Sequence, residues 1–310
     1  MTTGTSVQDA EQSGSELKPK RSAEGNAVLR YAGSLDRRPE VRNPDALAGL
    51  FLGPKFRMLA GVTLLRRAAL PVYMRLFPGA YYYQIARTKL FDAVLVDRIR
   101  SGDARQLVIL GAGYDTRAQR FSSILADVPT FEVDYPATLA RKLEKLQAAS
   151  PGNPTTGVTY VSADFNKDDW RTKLRDAGFD ESVATLVLWE GVCMFVSPAA
   201  IDDTFRWTAD LPAGSSILFD YVVEGALHSP GRYLGGRQVA QYMQKGDEPW
   251  TFGIEHDDVE LWLQAHDLRL VSLHRPADLE REFLASPDGE RQVLAIHGVA
   301  HAGVPTEGAS

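Results

Sequence analysis

The chain has 310 residues, 44% of them hydrophobic, and its 34 basic and 40 acidic side chains give a net charge of -6. That length accommodates one large α/β domain with a cap or two small domains, and the absence of a basic block argues against bulk nucleic acid as a partner. A single cysteine, Cys193, excludes an internal disulfide framework and a multi-cysteine zinc site, fits a reducing cytoplasm, and leaves no metal site to expect.

In chain order, residues 1–24 (MTTGTSVQDAEQSGSELKPKRSAE) are polar and lack the apolar stretch of a signal peptide, so a disordered tail is expected there. Residues 25–104 are expected to form a helical cap. Its most apolar window, 58–83, is interrupted by Arg66, Arg67, Pro71, Arg75 and Pro78, so no run reaches the roughly 18 apolar residues of a membrane span. This basic, aromatic window is expected to pack on the main domain, with membrane-surface contact as the lesser alternative. Next, "IARTKLFDAVLVDRI" places Leu90, Phe91, Val94, Leu95 and Ile99 on one helical face, predicting a capping helix with a buried side.

From 106 onward, short apolar runs alternate with helical patterns. The runs predict strands at 106–110, 130–134, 158–162, 183–189, 215–221, 268–274 and 291–298. Helices are predicted at 115–125, 136–147, 167–176, 198–210 and 256–266. The expected fold is α/β, a mainly parallel sheet with helices on both faces, spanning 105–300. Residues 224–253, rich in glycine and ending in "EPWTFGI", form a candidate lid or substrate loop, and 301–310 is expected to be a second disordered tail.

In such a sheet, ligands sit beyond the carboxyl ends of the strands. After the first strand, "LVILGAGYDTRAQRF" supplies Gly111, Ala112 and Gly113, but Thr116 stands where a dinucleotide fingerprint has its third glycine. Asp115 at the same turn is unfavourable to a pyrophosphate and tolerable to a cation. Asp134 lies 21 positions beyond Gly113, the spacing at which an acid meets the hydroxyls of a ribose. Asp164 and Phe165 offer an acceptor for an adenine amino group beside an aromatic wall, and Glu190 stands where a positive group of the ligand could lie. Asp134 and Asp164 have an alternative reading as helix caps, and Arg87 as an ion-pair partner of Asp92 or another surface acid. Glu190, set among apolar residues, needs a partner, for which a ligand ammonium is expected. The ligand these residues favour is S-adenosylmethionine, with Arg87 clamping its carboxylate.

The segments "ARTKLFD", "VILGAGYDTRAQRF", "FEVDYP", "ADF", "LWEGVCMFVSP" and "PWTFGI" together resemble the leucine carboxyl methyltransferase family of class I S-adenosylmethionine-dependent enzymes, from about 25 to 300. The resemblance implies a Rossmann-like seven-stranded sheet whose last strand is antiparallel. It implies that Arg87 takes the methionine carboxylate, that Gly111, with Ala112 and Gly113, takes the methionine side, and that Asp134 takes the ribose. Asp164 and Phe165 are implied for the adenine, and Glu190 for the methionine amino group. Protein-methylating members carry an amino-terminal lysine as a second carboxylate partner; here "AVLRYAG" offers Arg30 instead. The GYDTR form and "PWTFGI" look more like bacterial members that methylate small molecules, including polyketide phenols and acids.

The expected function is therefore methylation of a carboxyl or phenolic oxygen of a small molecule by a cytoplasmic enzyme, with no nucleic-acid partner and no membrane span. The rivals are carboxyl methylation of a protein terminus, a dinucleotide oxidoreductase weakened by Asp115 and Thr116, and a non-catalytic cofactor-binding protein. Tyr221 is placed to touch the acceptor, and His228, His256 or Glu224 to take the proton of a phenol.

Overall fold

The computed structural model describes residues 21–149, 157–246, 249–285 and 291–305. The amino-terminal part comprises α1 (Arg21–Ser34), 3-10 turns at Pro39–Val41 and Leu47–Phe51, α2 (Pro54–Gly61), α3 (Thr63–Leu76) and α4 (Ala80–Arg100). There follow β1 (Gln106–Leu110), α5 (Arg117–Arg120), β2 (Thr130–Asp134), α6 (Pro136–Ala149), β3 (Val158–Ser162), α7 (Trp170–Asp176) and β4 (Thr185–Trp189). The remainder is α8 (Pro198–Ala209), β5 (Ser216–Val222), α9 (Glu224–His228), α10 (Gly236–Lys245), α11 (Val259–Gln264), β6 (Arg269–His274), α12 (Pro276–Phe283) and β7 (His297–Gly303).

The strands form one seven-stranded sheet in the order β3-β2-β1-β4-β5-β7-β6. β1 to β5 pair in parallel, and β7 runs antiparallel to both β5 and β6. The chain winds outward from β1 in one direction and, after crossing back to β4, in the other, which opens a crevice beyond the carboxyl ends of β1 and β4. Every residue of β1, β2, β4, β5 and β7 is buried, as helices on both faces require. α4 buries Leu90, Phe91, Leu95 and Ile99, as its spacing predicts, with Val94 half-buried.

Five expectations shift. The seventh strand lies at His297–Gly303, so the expected strand at 291–298 and tail at 301–310 both give way through 303, and 306–310 lie outside the described residues. Four of the seven residues of β7 are glycine or alanine, and at Gly298 the neighbouring β5 demands it: a Cβ there would stand 2.5 Å from the Tyr221 ring. Strand signals based on β-branched residues miss such a strand. α1 begins at Arg21, inside the expected 1–24 tail, whose first 20 residues lie outside the described ones. The helix expected at 115–125 is reduced to the single turn of α5. Finally, the 58–83 window does not pack throughout: α3 has no buried residue.

Candidate functional site

β1 delivers the chain into Gly111 (φ +63°) and Gly113 (φ +47°), left-handed conformations that glycine adopts without strain. A Cβ on Gly111 would stand 2.4 Å from the Val192 side chain, so the turn also needs glycine for space. Asp134, at the end of β2, closes the turn by accepting the N–H groups of Gly113 and Tyr135. Thr116, the residue in place of a third glycine, ties the turn to the cap, since its hydroxyl donates to Asp45 at 2.7 Å and accepts from Arg120 at 2.9 Å.

These residues line a cavity of about 390 Å³, within the roughly 300–1,000 Å³ of small-molecule sites. Its walls bring together every residue expected to bind the cofactor: Arg87, Gly111, Ala112, Gly113, Asp134, Asp164, Phe165 and Glu190. Arg30 is there as well, bonded to Asp45 at 2.8 Å and to the Tyr114 carbonyl at 2.6 Å. Asp164 also closes a turn by accepting the N–H of Asn166, and the Phe165 ring packs edge-on against Trp170.

An ion network joins the cap to the sheet at the inner end of this cavity. Arg87 Nη1 donates to Asp220 at 2.5 Å and Nη2 to Gln84 at 2.9 Å. Arg117 bonds Asp92 at 2.8 Å, Asp115, and Glu190 Oε2 at 2.6 Å, and Arg120 grips both oxygens of Asp92. Burial by itself would raise the Asp115 carboxyl, but Arg117 and Lys142 overcome it and hold the group down at about 2. Asp92 is thus occupied by Arg117 and Arg120, which corrects the alternative of an Arg87–Asp92 pair. Glu190 likewise has protein cations, Arg87 and Arg117, as partners, where a ligand ammonium was expected.

The network nevertheless suits a cationic ligand. It sets the carboxylates of Asp92, Asp115, Glu190 and Asp220 against the guanidiniums of Arg87, Arg117 and Arg120, an excess of one negative charge. Arg87 Nε lies 2.9 Å from Glu190 Oε1 but off the direction of a hydrogen bond, so both atoms are buried with hydrogen-bonding capacity unmet. An ammonium and a carboxylate of one zwitterionic tail would satisfy both.

The expected catalytic residues are not brought to the cavity. Tyr221 is fully buried in β5, its hydroxyl 2.7 Å from His256 Nδ1. Tyr221, His256 and His228 line neither this cavity nor the neighbouring one, and His228 is exposed at the end of α9. Side chains alternate across a strand, so the residue of β5 turned toward α4 is Asp220, one position earlier, which lines neither cavity but reaches the site through Arg87. It accepts from Arg87, from Tyr83 at 2.9 Å and from the Gly191 N–H. The signal was an acid inside the apolar run "SILFDYV". Cys193 is buried with its thiol on the Asp220 carbonyl, and burial pushes its pKa up, as suits a small core side chain.

A second cavity, of about 420 Å³, shares Asn26, Arg87, Gly191 and Phe195 with the first. Its walls are mostly apolar and include Leu70, Tyr73, Met194, Tyr242 and Trp250, with His297 among them. His297 stacks on Tyr83 at 4.6 Å, and its Nδ1 lies 3.3 Å from the Tyr221 carbonyl. The segment 224–253 contributes to both cavities: Val239, Tyr242, Met243 and Trp250 to the second, Pro249 and Thr251 to the first. Residues 247–248 of that segment lie outside the described ones.

A doubly wound sheet with acids after β1 to β4 lining one cavity, and a buried ion network with an anion excess beside it, is the arrangement of a class I S-adenosylmethionine-dependent methyltransferase. Residues 25–209 match the model of the family described as leucine carboxyl methyltransferase, and the chain belongs to that family. It is similar to a "Putative S-adenosyl-L-methionine-dependent methyltransferase" of Mycolicibacterium paratuberculosis, 31% identical over 67% of this chain and 69% of that one. A relative of like name from Mycolicibacterium smegmatis is 30% identical over 68% of this chain and 70% of its own. The fold also matches a solved DUF574 family protein from Streptomyces avermitilis, with a TM-score of 0.62 at 15% identity over 94% of this chain and 99% of that one.

Proposed function

We propose that this methyltransferase transfers the methyl group to a carboxyl or phenolic oxygen of an apolar small molecule in the cytoplasm. The observation that carries the reading is the pair of cavities joined at Arg87, Gly191 and Phe195: one suits the cofactor, and the other offers an apolar acceptor a place at its inner end. Bound in the first, S-adenosylmethionine supplies a methyl carbon activated on a sulfonium. Asp134 would hold the ribose, Asp164 and Phe165 the adenine, and Arg87 with Glu190 the amino acid tail. The protein's remaining work is alignment of the acceptor oxygen and exclusion of water, which close aromatic walls perform.

A carboxylate acceptor needs no base. For a phenol, His297 replaces the histidines expected from the sequence. A carbonyl only accepts, so His297 Nδ1 carries the hydrogen and Nε2 keeps a free electron pair. Burial lowers the His297 pKa to about 4, so the ring is neutral and able to accept at neutral pH.

An apolar second cavity speaks against a protein carboxyl terminus as acceptor, for which a more polar groove is expected. The test is methyl transfer from labelled S-adenosylmethionine to a panel of aromatic acids and phenols beside a leucine-terminated peptide. Transfer confined to the peptide would overturn the small-molecule reading, and cofactor binding without any turnover would leave only a binding protein.

A further inference from the structure

We propose that α2 and α3 form a docking surface for an anionic lipid bilayer, through which a bilayer-dissolved acceptor reaches the apolar cavity. The second clause rests on the reading of that cavity as the acceptor site.

No residue of α3 is buried, and its exposed surface carries large apolar side chains. Leu64 is 77% exposed, Val72 59% and Leu76 56%, and with Ala68 they recur every fourth residue along one face. Phe56, Met58 and Val62 continue the exposed apolar surface through α2 and the turn between the helices. An apolar patch of this kind marks an interaction site in a water-soluble surface.

Its charge says what covers it. Residues 54–76 contain Lys55, Arg57, Arg66, Arg67 and Arg75 and no carboxylate, in a chain whose net charge is -6. Lys55, Arg57, Arg67 and Arg75 are exposed, and none forms a salt bridge among the described residues. A second copy docked through the same face would bring like charges together. Large apolar side chains interspersed with free cations are the composition of helices that lie in the interface of an anionic membrane. No helix among the described residues is long and apolar enough to cross one.

The inner side of the same helices walls the cavity. Arg66, Ala69, Leu70 and Tyr73, at helical spacing, line it together with Phe56 and Leu59 of α2. The bilayer contact and the cavity are therefore separated by the thickness of one helix, and an acceptor dissolved in hydrocarbon has a short apolar path inward.

The experiment is co-sedimentation of the full chain with vesicles of phosphatidylcholine and with vesicles of equal parts phosphatidylcholine and phosphatidylglycerol. The wild type should pellet with the anionic vesicles, less at high salt, and much less with the neutral ones. Leu64→Asp/Val72→Asp, and separately Arg57→Gln/Arg67→Gln/Arg75→Gln, should each weaken partitioning by about tenfold. None of these residues lines either cavity, so affinity for S-adenosylhomocysteine should be unchanged and confirms that the variants fold. Absence of pelleting, or pelleting that both variants retain, overturns the proposal, as does self-association through this face or capture of an acidic protein in place of vesicles. Wild type that binds vesicles yet methylates only polar acceptors keeps the docking surface and removes the acceptor reading.

Discussion

Arg87 on α4 and Asp220 in β5 meet at 2.5 Å, with 5% and 0% of their side chains exposed. The pair fastens the capping helix to the sheet and, through the second edge of the Arg87 fork, aims a guanidinium at the place where the two cavities join. Removing one partner of a buried pair strands the other charge, at a cost of about 3–5 kcal/mol. Asp220→Ala should lower unfolding free energy by that order in urea denaturation, and Arg87→Met/Asp220→Leu should recover much of it. A single variant within about 1 kcal/mol of wild type would show that the pair is not what holds the cap.

Arg87→Lys should weaken S-adenosylhomocysteine binding, because a point charge cannot replace the fork that spans Asp220, Gln84 and Glu190. Adenosine, which lacks the amino acid tail, should lose no affinity to the same substitution. Equal losses for both ligands, read by calorimetry, would place Arg87 in the scaffold alone.

Asp134→Ala should reduce S-adenosylhomocysteine affinity at least about tenfold, since hydrogen bonds to a charged group contribute about 1.5–3 kcal/mol each. The variant also frees the Gly113 N–H, so the turn should loosen while the sheet stays folded by circular dichroism. An unchanged dissociation constant would remove the ribose assignment.

Gly111→Ala combines an unfavourable φ of +63° with a clash on Val192. Strain of this kind costs about 1–3 kcal/mol, and the thermal midpoint should fall with it. Adding Val192→Ala should relieve the clash but not the dihedral, so stability returns only in part. Complete recovery would mean that the left-handed conformation costs nothing here.

Trp250 lines the second cavity and not the first. Trp250→Ala should therefore leave cofactor affinity within about threefold while the Michaelis constant for the acceptor rises or turnover falls. A collapse of cofactor affinity with normal acceptor kinetics would reverse the division between the cavities.

Burial lowers His297 and His301 to about 4 each, with Asp220 opposing and Arg87 assisting at His297, and Arg98 and His274 assisting at His301. Between about 4 and the unfolded value near 6.5 the unfolded chain binds more protons, so stability is full above that window and is lost as pH falls through it. Each histidine contributes at most about 3 kcal/mol to this slope. Denaturation midpoints should drop from pH 7 to pH 4.5, and His301→Gln should flatten the drop; an unaltered slope would assign the acid sensitivity elsewhere.

Much of this was legible in one dimension. The strands β1 and β2 fall where their apolar runs lie, because a run buried on both faces announces itself through composition alone, and β3, of which only Val161 is fully buried, is marked by its β-branched and aromatic residues. That Gly111, Ala112, Gly113, Asp134, Asp164, Phe165 and Glu190 line one cavity was equally readable, because each follows the end of a strand and the crossover geometry of a doubly wound sheet carries those ends to one edge. Parity and pairing were not. Tyr221 and Asp220 are neighbours in sequence but face opposite sides of β5, and only the position of α4 decides which side holds the site. β7 has one β-branched residue, Val299, among glycine, alanine and histidine, and larger neighbours close over it, a condition its own residues do not state. Likewise, the partners of Glu190 come from residues 87 and 117, and a charge set among apolar neighbours reveals that it needs a partner without revealing which one. Local composition marks runs such as β1 and β2 for burial, whereas the exposure of α3, the burial of β7 and the pairing of charges across the core depend on neighbours and distances that exist only once the chain has folded.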